Sequence, residues 1–164
     1  MYEWPHDKIR TVAFWYICRN CSHEDQWLYT RLLHLHDELT SVVSLQASER
    51  PIVSCYIDEG RWFVMTSARM IIFNDNQKVV ASPLDLTRWQ WGDFKTDLEP
   101  RIGTATIVLK DGTSFSFQYE TGYASMAPIY YVLFWDVKYP ALHNLDVARI
   151  RTKAERLSGR QLPY

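Results

Sequence analysis

Two cysteines three positions apart, Cys18 and Cys21, are the first residues whose spacing suggests chemistry. With His34 they give Cys-x2-Cys-x12-His, which is close to the ligand spacing of a structural zinc site. A fourth ligand is missing, because a helix turns the rings of His34 and His36 about 200° apart, and His23 is strained as an alternative. We therefore expect two unrelated thiols and no bound metal. A redox role would need a lowered thiolate pKa and a βαβ context, and the sequence indicates neither.

The pair His34-x-His36 is the second candidate. Two histidines at this spacing bind a metal from a strand or loop, where both rings share a side. The leucine spacing around them predicts a helix, so we interpret both as polar residues on its solvated face. The sequence holds no Gly-x-Ser-x-Gly, phosphate loop or dinucleotide fingerprint, and its six glycines are few for a loop that cradles phosphate. We expect no catalytic residue, no cofactor and no enzymatic activity.

An aromatic cluster offers a binding chemistry instead. Arg88, Trp89, Trp91 and Phe94 lie within seven positions, and Trp and Arg dominate the hot spots of protein interfaces. Alternation along a strand places Trp89 and Trp91 on one face. They either fill the core or contact a partner, and the sequence leaves both interpretations open. These four residues are our candidates for partner binding.

Basic residues form a stripe on the last predicted helix. Arg149, Lys153, Arg156 and Arg160 are candidates for contact with an anionic surface, although a solvated face that pairs with acids of this chain is the alternative. Residues 146–160 carry a net charge of +3 within a chain whose net charge is −1.

The composition is that of a globular domain. The chain has 164 residues, of which 47% are hydrophobic and 23% charged, so disorder and low complexity are excluded. The balanced charge excludes a dedicated nucleic-acid binder. The longest uncharged run has 15 residues, too short for a membrane span, and the N-terminal sequence is unlike a signal peptide. Three cysteines, an odd number, suit a reducing compartment, so we expect a cytoplasmic protein.

The N-terminal third is predicted to contain one long amphipathic helix, over residues 22–46. Ser22 and Asp25 form a plausible N-cap pair, and the helix ends before Pro51. Its apolar stripe consists of Leu28, Leu32, Leu35, Leu39 and Val42. Residues 1–21 are irregular, with a short strand or helix over 9–18.

Seven short strands follow. The first four form an antiparallel meander over 52–57, 62–66, 70–73 and 78–81. The last three cover 86–91, 102–109 and 115–119, and Asp111-Gly112 marks a tight hairpin before the seventh.

Two helices complete the chain. Residues 129–137 are apolar almost all round, Pro128 falls in the first turn of this helix, and Pro140 is predicted to end it. The last helix, over 142–158, carries the basic stripe beside an apolar stripe of Val147, Ile150, Ala154 and Leu157.

The order of four strands, three strands and a capping helix resembles bacterial pleckstrin-homology-like (PH-like) domains over residues 50–138. The segment 60–73 is similar to their second and third strands, with Thr66, a tight turn, and Arg69 leading an apolar strand. The resemblance implies an α+β fold with a seven-stranded split β-barrel and a C-terminal capping helix, plus an N-terminal helix and a C-terminal basic helix. Residues 1–49 would be an N-terminal extension packed on the barrel, 50–140 the PH-like domain, and 141–164 a helix and tail.

One departure from that family bears on function. Phosphoinositide-binding members place Lys and Arg around the first β-hairpin loop, whereas Asp58-Glu59-Gly60 is acidic here and only Arg61 is basic. We therefore expect no specific phosphoinositide binding.

The sequence favours a non-enzymatic protein–protein interaction module, with a small bacterial immunity or adaptor protein that binds and blocks a partner as its concrete form. A peripheral membrane or lipid-binding module that uses the basic C-terminal helix is the alternative. The apolar helix over 129–137 also needs a cover, because large exposed apolar patches are rare on monomers. The stripe of the predicted helix over 22–46 would supply it, or a symmetric homodimer would.

Overall fold

The computed structural model describes residues 3–158 as an α+β fold with two antiparallel sheets. The five-stranded sheet runs β1-β2-β3-β4-β5, and the three-stranded sheet runs β6-β7-β8. The helices are α1 (His6–Cys18), α2 (Met126–Leu133) and α3 (Tyr139–Ser158). The strands are β1 (Thr30–Leu32), β2 (Pro51–Asp58), β3 (Arg61–Thr66), β4 (Met70–Asn74), β5 (Gln77–Ala81), β6 (Leu86–Gln90), β7 (Ile102–Leu109) and β8 (Ser114–Glu120). Arg160, a candidate for anionic contact, lies outside the described residues.

The seven strands predicted from the sequence are confirmed, and both groups pair in order along the chain. An additional short strand, β1, pairs with β2. The two sheets pack against each other through Phe63 and Phe117, whose ring centroids are 5.2 Å apart. Among residues 3–158 the sheets do not close into a barrel.

The long helix predicted over 22–46 is wrong. The segment contains β1 and two short 3-10 turns, Glu24–Gln26 and Asp37–Leu39. Leu33 has a φ of 66°, which no helix tolerates, and Leu28 and Val42 are exposed. The leucine spacing matches one helical face, but pairing of Thr30–Leu32 with β2 outweighs it.

This segment nevertheless covers the outer face of the larger sheet. Leu39 and Val43 are buried against Trp62, Val64 and Ile71 of β3 and β4. They form a second, smaller apolar core on the side of the sheet that faces away from β6–β8. A sheet buried on both faces explains why β3 is apolar at nearly every position.

The N-terminal helix is α1, which lies earlier in the chain than predicted. The sequence analysis allowed either a short strand or a helix at residues 9–18. Ile9, Ala13 and Ile17 are spaced by four residues and form its buried face. Tyr16 contacts Tyr130 of α2 edge to face, with ring centroids 5.6 Å apart. The apolar helix thus has an intramolecular cover, as expected, but α1 supplies it instead of residues 22–46.

Pro140 does not end the helix that precedes it. A π-helical turn, Phe134–Lys138, joins α2 to α3, and Pro140 is the second residue of α3. The wide turn pairs Tyr139 N–H with the carbonyl of Phe134. Pro140 lacks an N–H, and it directly follows the π-helical turn, where the regular hydrogen-bond ladder of the helix is already interrupted. Among the described residues, no helix is long and apolar enough to cross a membrane.

A buried ionic network holds the corner between β3 and β4. Glu49 accepts hydrogen bonds from Arg69 Nε at 2.9 Å and from Thr66 Oγ1 at 2.6 Å. Tyr131 of α2 donates its hydroxyl to the carbonyl of Thr66 at 2.8 Å. The Thr-x-x-Arg pattern of this corner therefore has a structural purpose, since it fastens the hairpin to the preceding loop and to α2.

Candidate functional site

The two cysteines of the predicted pair lie at and just after the end of α1. Burial, followed by the nearby Glu24 carboxylate, raises the pKa of Cys18. Burial also raises the pKa of Cys21 to about 12. Both shifts favour the protonated thiol over the thiolate, which is the nucleophilic form. In the described part of the chain, no group of three or more His, Cys, Asp and Glu side chains could hold a metal ion.

The two histidines are separated by their environment, and neither lies on a solvated helix face. His34 is exposed in a loop, whereas His36 is buried and its Nδ1 lies 2.9 Å from Ser54 Oγ. Ser54 donates its only hydroxyl proton to the carbonyl of His34 at 2.8 Å, so His36 Nδ1–H donates to Ser54. Desolvation, with a smaller effect of Arg31, lowers the pKa of His36. His36 is a core histidine held in its neutral form.

His36 predicts a loss of stability in mild acid. The unfolded chain takes up a proton near pH 6.5 and the folded chain only at lower pH, so stability is complete above pH 6.5 and falls as pH drops below it. One group can contribute a slope of at most about 1.4 kcal/mol per pH unit. We expect denaturant titrations of His36→Gln to show a flatter pH dependence over this range, while the exposed control His34→Gln keeps that of the wild type. An unchanged slope in His36→Gln would contradict the assignment.

The structure divides the four predicted partner-binding residues. A β-bulge between Leu86 and Arg88 changes the strand parity, so that Leu86 and Trp91 both point inward. Trp91 is buried, with its ring 5.3 Å from that of Tyr119, which corrects its assignment to partner contact. Trp89 is half-buried against the core and Arg88 is exposed.

Phe94, the fourth predicted residue, lines a groove between the loop after β6 and the turn after β8. The groove has a volume of about 310 Å³. Its lining consists of Phe94, Lys95, Asp97, Gly122, Tyr123 and Met126. Tyr123 is 50% exposed, and Leu98 of the same loop is 80% exposed. We call residues 94–98 together with 122–126 the loop–turn surface.

Backbone hydrogen bonds hold the loop–turn surface in one shape. Gly122 N–H donates to the carbonyl of Phe94 at 2.7 Å, and Thr121 N–H donates to that of Arg101 at 2.9 Å. Gly122 has a φ of 73°, and a Cβ there would lie 2.9 Å from Asp97 Oδ1. Glycine is therefore required where the loop and the turn meet.

The core anchors the same loop from below. Tyr119 donates its hydroxyl to the carbonyl of Trp91, directly before the loop begins. Burial, together with the charge of Asp93, raises the pKa of Tyr119 to about 12, so the hydroxyl stays protonated. The buried Trp91 thus serves as a support for the loop that carries Phe94.

A smaller polar cleft of about 160 Å³ adjoins the groove, and Asp97 and Tyr123 line both. Glu120 is buried at its base and accepts hydrogen bonds from Leu28 N–H at 2.6 Å and Tyr29 N–H at 2.9 Å. His23 stacks on Tyr123, with ring centroids 4.2 Å apart. The surface therefore offers an apolar groove with a polar border.

Sequence reasoning missed Leu98, Tyr123 and Met126. Leu98 lies between the predicted strands 86–91 and 102–109, and Tyr123 and Met126 lie between the last predicted strand and the helix that follows it. The pairing of β6, β7 and β8 brings Tyr123 and Met126 next to Phe94. A local pattern cannot reveal such a site, because its residues come from two distant segments.

The basic stripe of α3 is placed on the surface. Arg149, Lys153 and Arg156 are exposed, and Arg149 Nη1 lies 4.0 Å from Asp146 Oδ1. A pair at that distance between exposed side chains contributes little to stability.

Comparisons with known proteins give no relative of this chain. No family model matches it, and neither a curated protein nor a solved structure does.

Proposed function

We propose that this chain is a non-enzymatic, cytoplasmic protein–protein interaction module built on a PH-like split barrel. A small bacterial immunity or adaptor protein, which binds and blocks a protein partner, is the concrete form of this proposal. The loop–turn surface is the site that holds the partner. The observation that carries the proposal is an apolar groove whose bordering side chains are exposed and whose backbone is fixed.

The chemistry of the groove supports a protein ligand. Binding hot spots are aromatic or aliphatic side chains in a desolvated centre, surrounded by polar residues that exclude water. Phe94, Tyr123 and Met126 provide such a centre, and Lys95 and Asp97 provide charged groups of both signs at its border. A partner of matching chemistry would insert an aliphatic or aromatic side chain between the rings and pair its polar groups with the border.

The rigidity of the surface supports the same proposal. A loop that must be ordered on binding reduces affinity, and a preorganised loop avoids that loss. The hydrogen bonds from Gly122 and Thr121 fix the loop before a partner arrives.

The chain order supports the PH-like part of the proposal. A four-strand meander, β2–β5, is followed by a three-strand meander, β6–β8, and then by α2. The corner between β3 and β4 has the Thr66 and Arg69 pair noted in the sequence, held by Glu49. Many PH-like domains bind proteins, so the fold is compatible with this function but does not select it.

Affinity purification from the cells that naturally make this chain tests the proposal. We expect the tagged wild type to retain one stoichiometric protein partner. The amount of partner retained by a Leu98→Asp/Tyr123→Ser variant should fall by at least about tenfold, since a hot-spot side chain contributes roughly 2 kcal/mol or more. Val80→Asp is the matched control, because Val80 is equally exposed but lies on β5. Retention of the partner by the double variant, or equal loss in the control, would contradict the proposal.

A further inference from the structure

Helix α3 exposes aliphatic side chains that a surface helix ordinarily buries. Leu145 is 53% exposed, Val147 40% and Ile150 47%. These side chains lie within six positions on one helix, next to the exposed Arg149. The loop–turn surface does not include them, so they need an explanation of their own.

Three of the basic residues of α3 share one side of the helix, and Arg151 lies on the opposite side. With about 100° of rotation per residue, Leu145, Arg149, Lys153 and Arg156 fall within an arc of about 80°. Ile150 follows about 60° beyond Lys153. The helix therefore presents a cationic stripe flanked by exposed aliphatic side chains.

The first turns of α3 are fastened to the body of the protein. Tyr139 packs edge to face on Trp4, with ring centroids 5.4 Å apart, and His143 stacks on Tyr139 at 5.3 Å. Lys8 of α1 forms an ion pair with Asp146. The orientation of the cationic stripe is thus set by the fold.

We propose that α3 docks on an anionic lipid bilayer, with Arg149, Lys153 and Arg156 at the phosphate level and Leu145 and Ile150, on either side of them, entering the headgroup–acyl boundary. A helix with aliphatic side chains beside a cationic face is the type that lies in a membrane interface. Each lysine or arginine near an anionic leaflet strengthens binding, and the aliphatic side chains add a contribution that salt does not screen.

The acidic groups of α3 do not cancel this attraction. Asp146, which lies next to the stripe, is paired with Lys8 and approached by Arg149. The hydrogen bond from Lys8 lowers the pKa of Asp146, and this effect is larger than the opposing effect of burial. Glu155 lies about 120° around the helix from the centre of the stripe.

A second copy of this chain fits the exposed surface of α3 less well than a lipid bilayer does. Symmetric pairing through Leu145 and Ile150, which flank the cationic stripe, would bring two such stripes together, and like charges across an interface are unfavourable. Three half-exposed aliphatic side chains also fall far short of the roughly 800 Å² per partner that a stable dimer buries.

Vesicle sedimentation with the purified full chain tests the proposal. We expect binding to phosphatidylcholine vesicles that contain about one third phosphatidylglycerol, and none to pure phosphatidylcholine. Salt at about 0.5 M should weaken the binding strongly, because the Debye length then falls to a few ångströms. Equal binding to both kinds of vesicle, or no binding to either, would overturn the proposal.

Charge-reversal variants locate the contact. Arg149→Glu/Lys153→Glu/Arg156→Glu should reduce vesicle binding by at least about a hundredfold, on the basis of about fivefold for each of the three basic residues. Ile150→Asp should also reduce vesicle binding, and the binding that remains should still weaken as salt is added.

The matched control changes the net charge by the same amount elsewhere. Arg31→Glu/Lys78→Glu/Lys110→Glu alters three exposed basic residues outside α3 and should bind vesicles within about twofold of the wild type. Equal loss in this control would overturn the assignment to α3. Sedimentation velocity tests whether a second copy of the chain covers α3 instead. A wild type that is dimeric and does not bind vesicles, together with a monomeric Ile150→Asp variant, would support the second copy and contradict the lipid proposal.

Discussion

Replacing Glu49 with alanine is expected to lower the free energy of unfolding by about 3–5 kcal/mol, the range for removing one partner of a buried ion pair. The carboxylate is buried and accepts hydrogen bonds from Arg69, Thr66 and the N–H of Gln46. Burial alone would raise the pKa of Glu49, but the bonds from Arg69 and Thr66 outweigh it and lower the pKa. Without the carboxylate, the Arg69 guanidinium loses its counter-ion and keeps only the carbonyl of Ser44, and the Thr66 hydroxyl loses its shorter hydrogen bond.

Asp7 provides the matched control for this experiment. It pairs with Arg50 at 2.9 Å, but its side chain is exposed. Asp7→Ala should therefore cost less than about 1 kcal/mol in the same urea titration. Similar losses in the two variants, or a loss below about 1 kcal/mol for Glu49→Ala, would show that the network does not hold the β3–β4 corner.

Replacing Ile17 with alanine is expected to cost about 2–5 kcal/mol, since it opens a cavity where α1 covers the rest of the core. Ile17 is fully buried on the face that also contains Ile9 and Ala13. Trp15, which is 63% exposed on the same helix, is the control. Trp15→Ala should change stability far less, although it removes a larger side chain.

Thermal and urea unfolding of both variants measure this difference. A small effect of Ile17→Ala would mean that α1 is not the cover of α2. The symmetric dimer predicted as the alternative cover would then be supported if sedimentation found no wild-type monomer.

The strands were predictable because each is short, apolar and bounded by a turn. Asp58-Glu59-Gly60, Asn74-Asp75-Asn76 and Asp111-Gly112 all mark reversals that the structure contains. Turn chemistry acts locally, so it can be read without knowledge of the tertiary structure.

The helices were harder to place because two patterns compete. Residues 28–42 show a regular leucine spacing, yet pairing with β2 and packing on the outer face of the sheet determine their structure. In α1, apolar residues surround most of the helix from Val12 to Ile17, so its burial pattern is hidden in the sequence. Helical periodicity is only a tendency, and tertiary contacts override it.

One extra residue at the bulge in β6 changes which side chains of the strand face the core. Strict alternation places Leu86 and Trp91 on opposite faces, but the bulge before Arg88 places both inside. Of the residues that line the groove, the sequence therefore predicted only Phe94. Tyr123 and Met126 join Phe94 through long-range strand pairing, which no spacing in the sequence encodes.

Site-specific photocrosslinking tests the central claim, that the loop–turn surface holds a protein partner, most directly. A photoreactive amino acid at Leu98 or at Tyr123, introduced in the native cells, should give one discrete adduct with the same partner protein. The same group at Val80 should give none, because that position is exposed but distant from the loop in the chain. Adducts of equal yield from all three positions, or no adduct from Leu98 and Tyr123, would contradict the account.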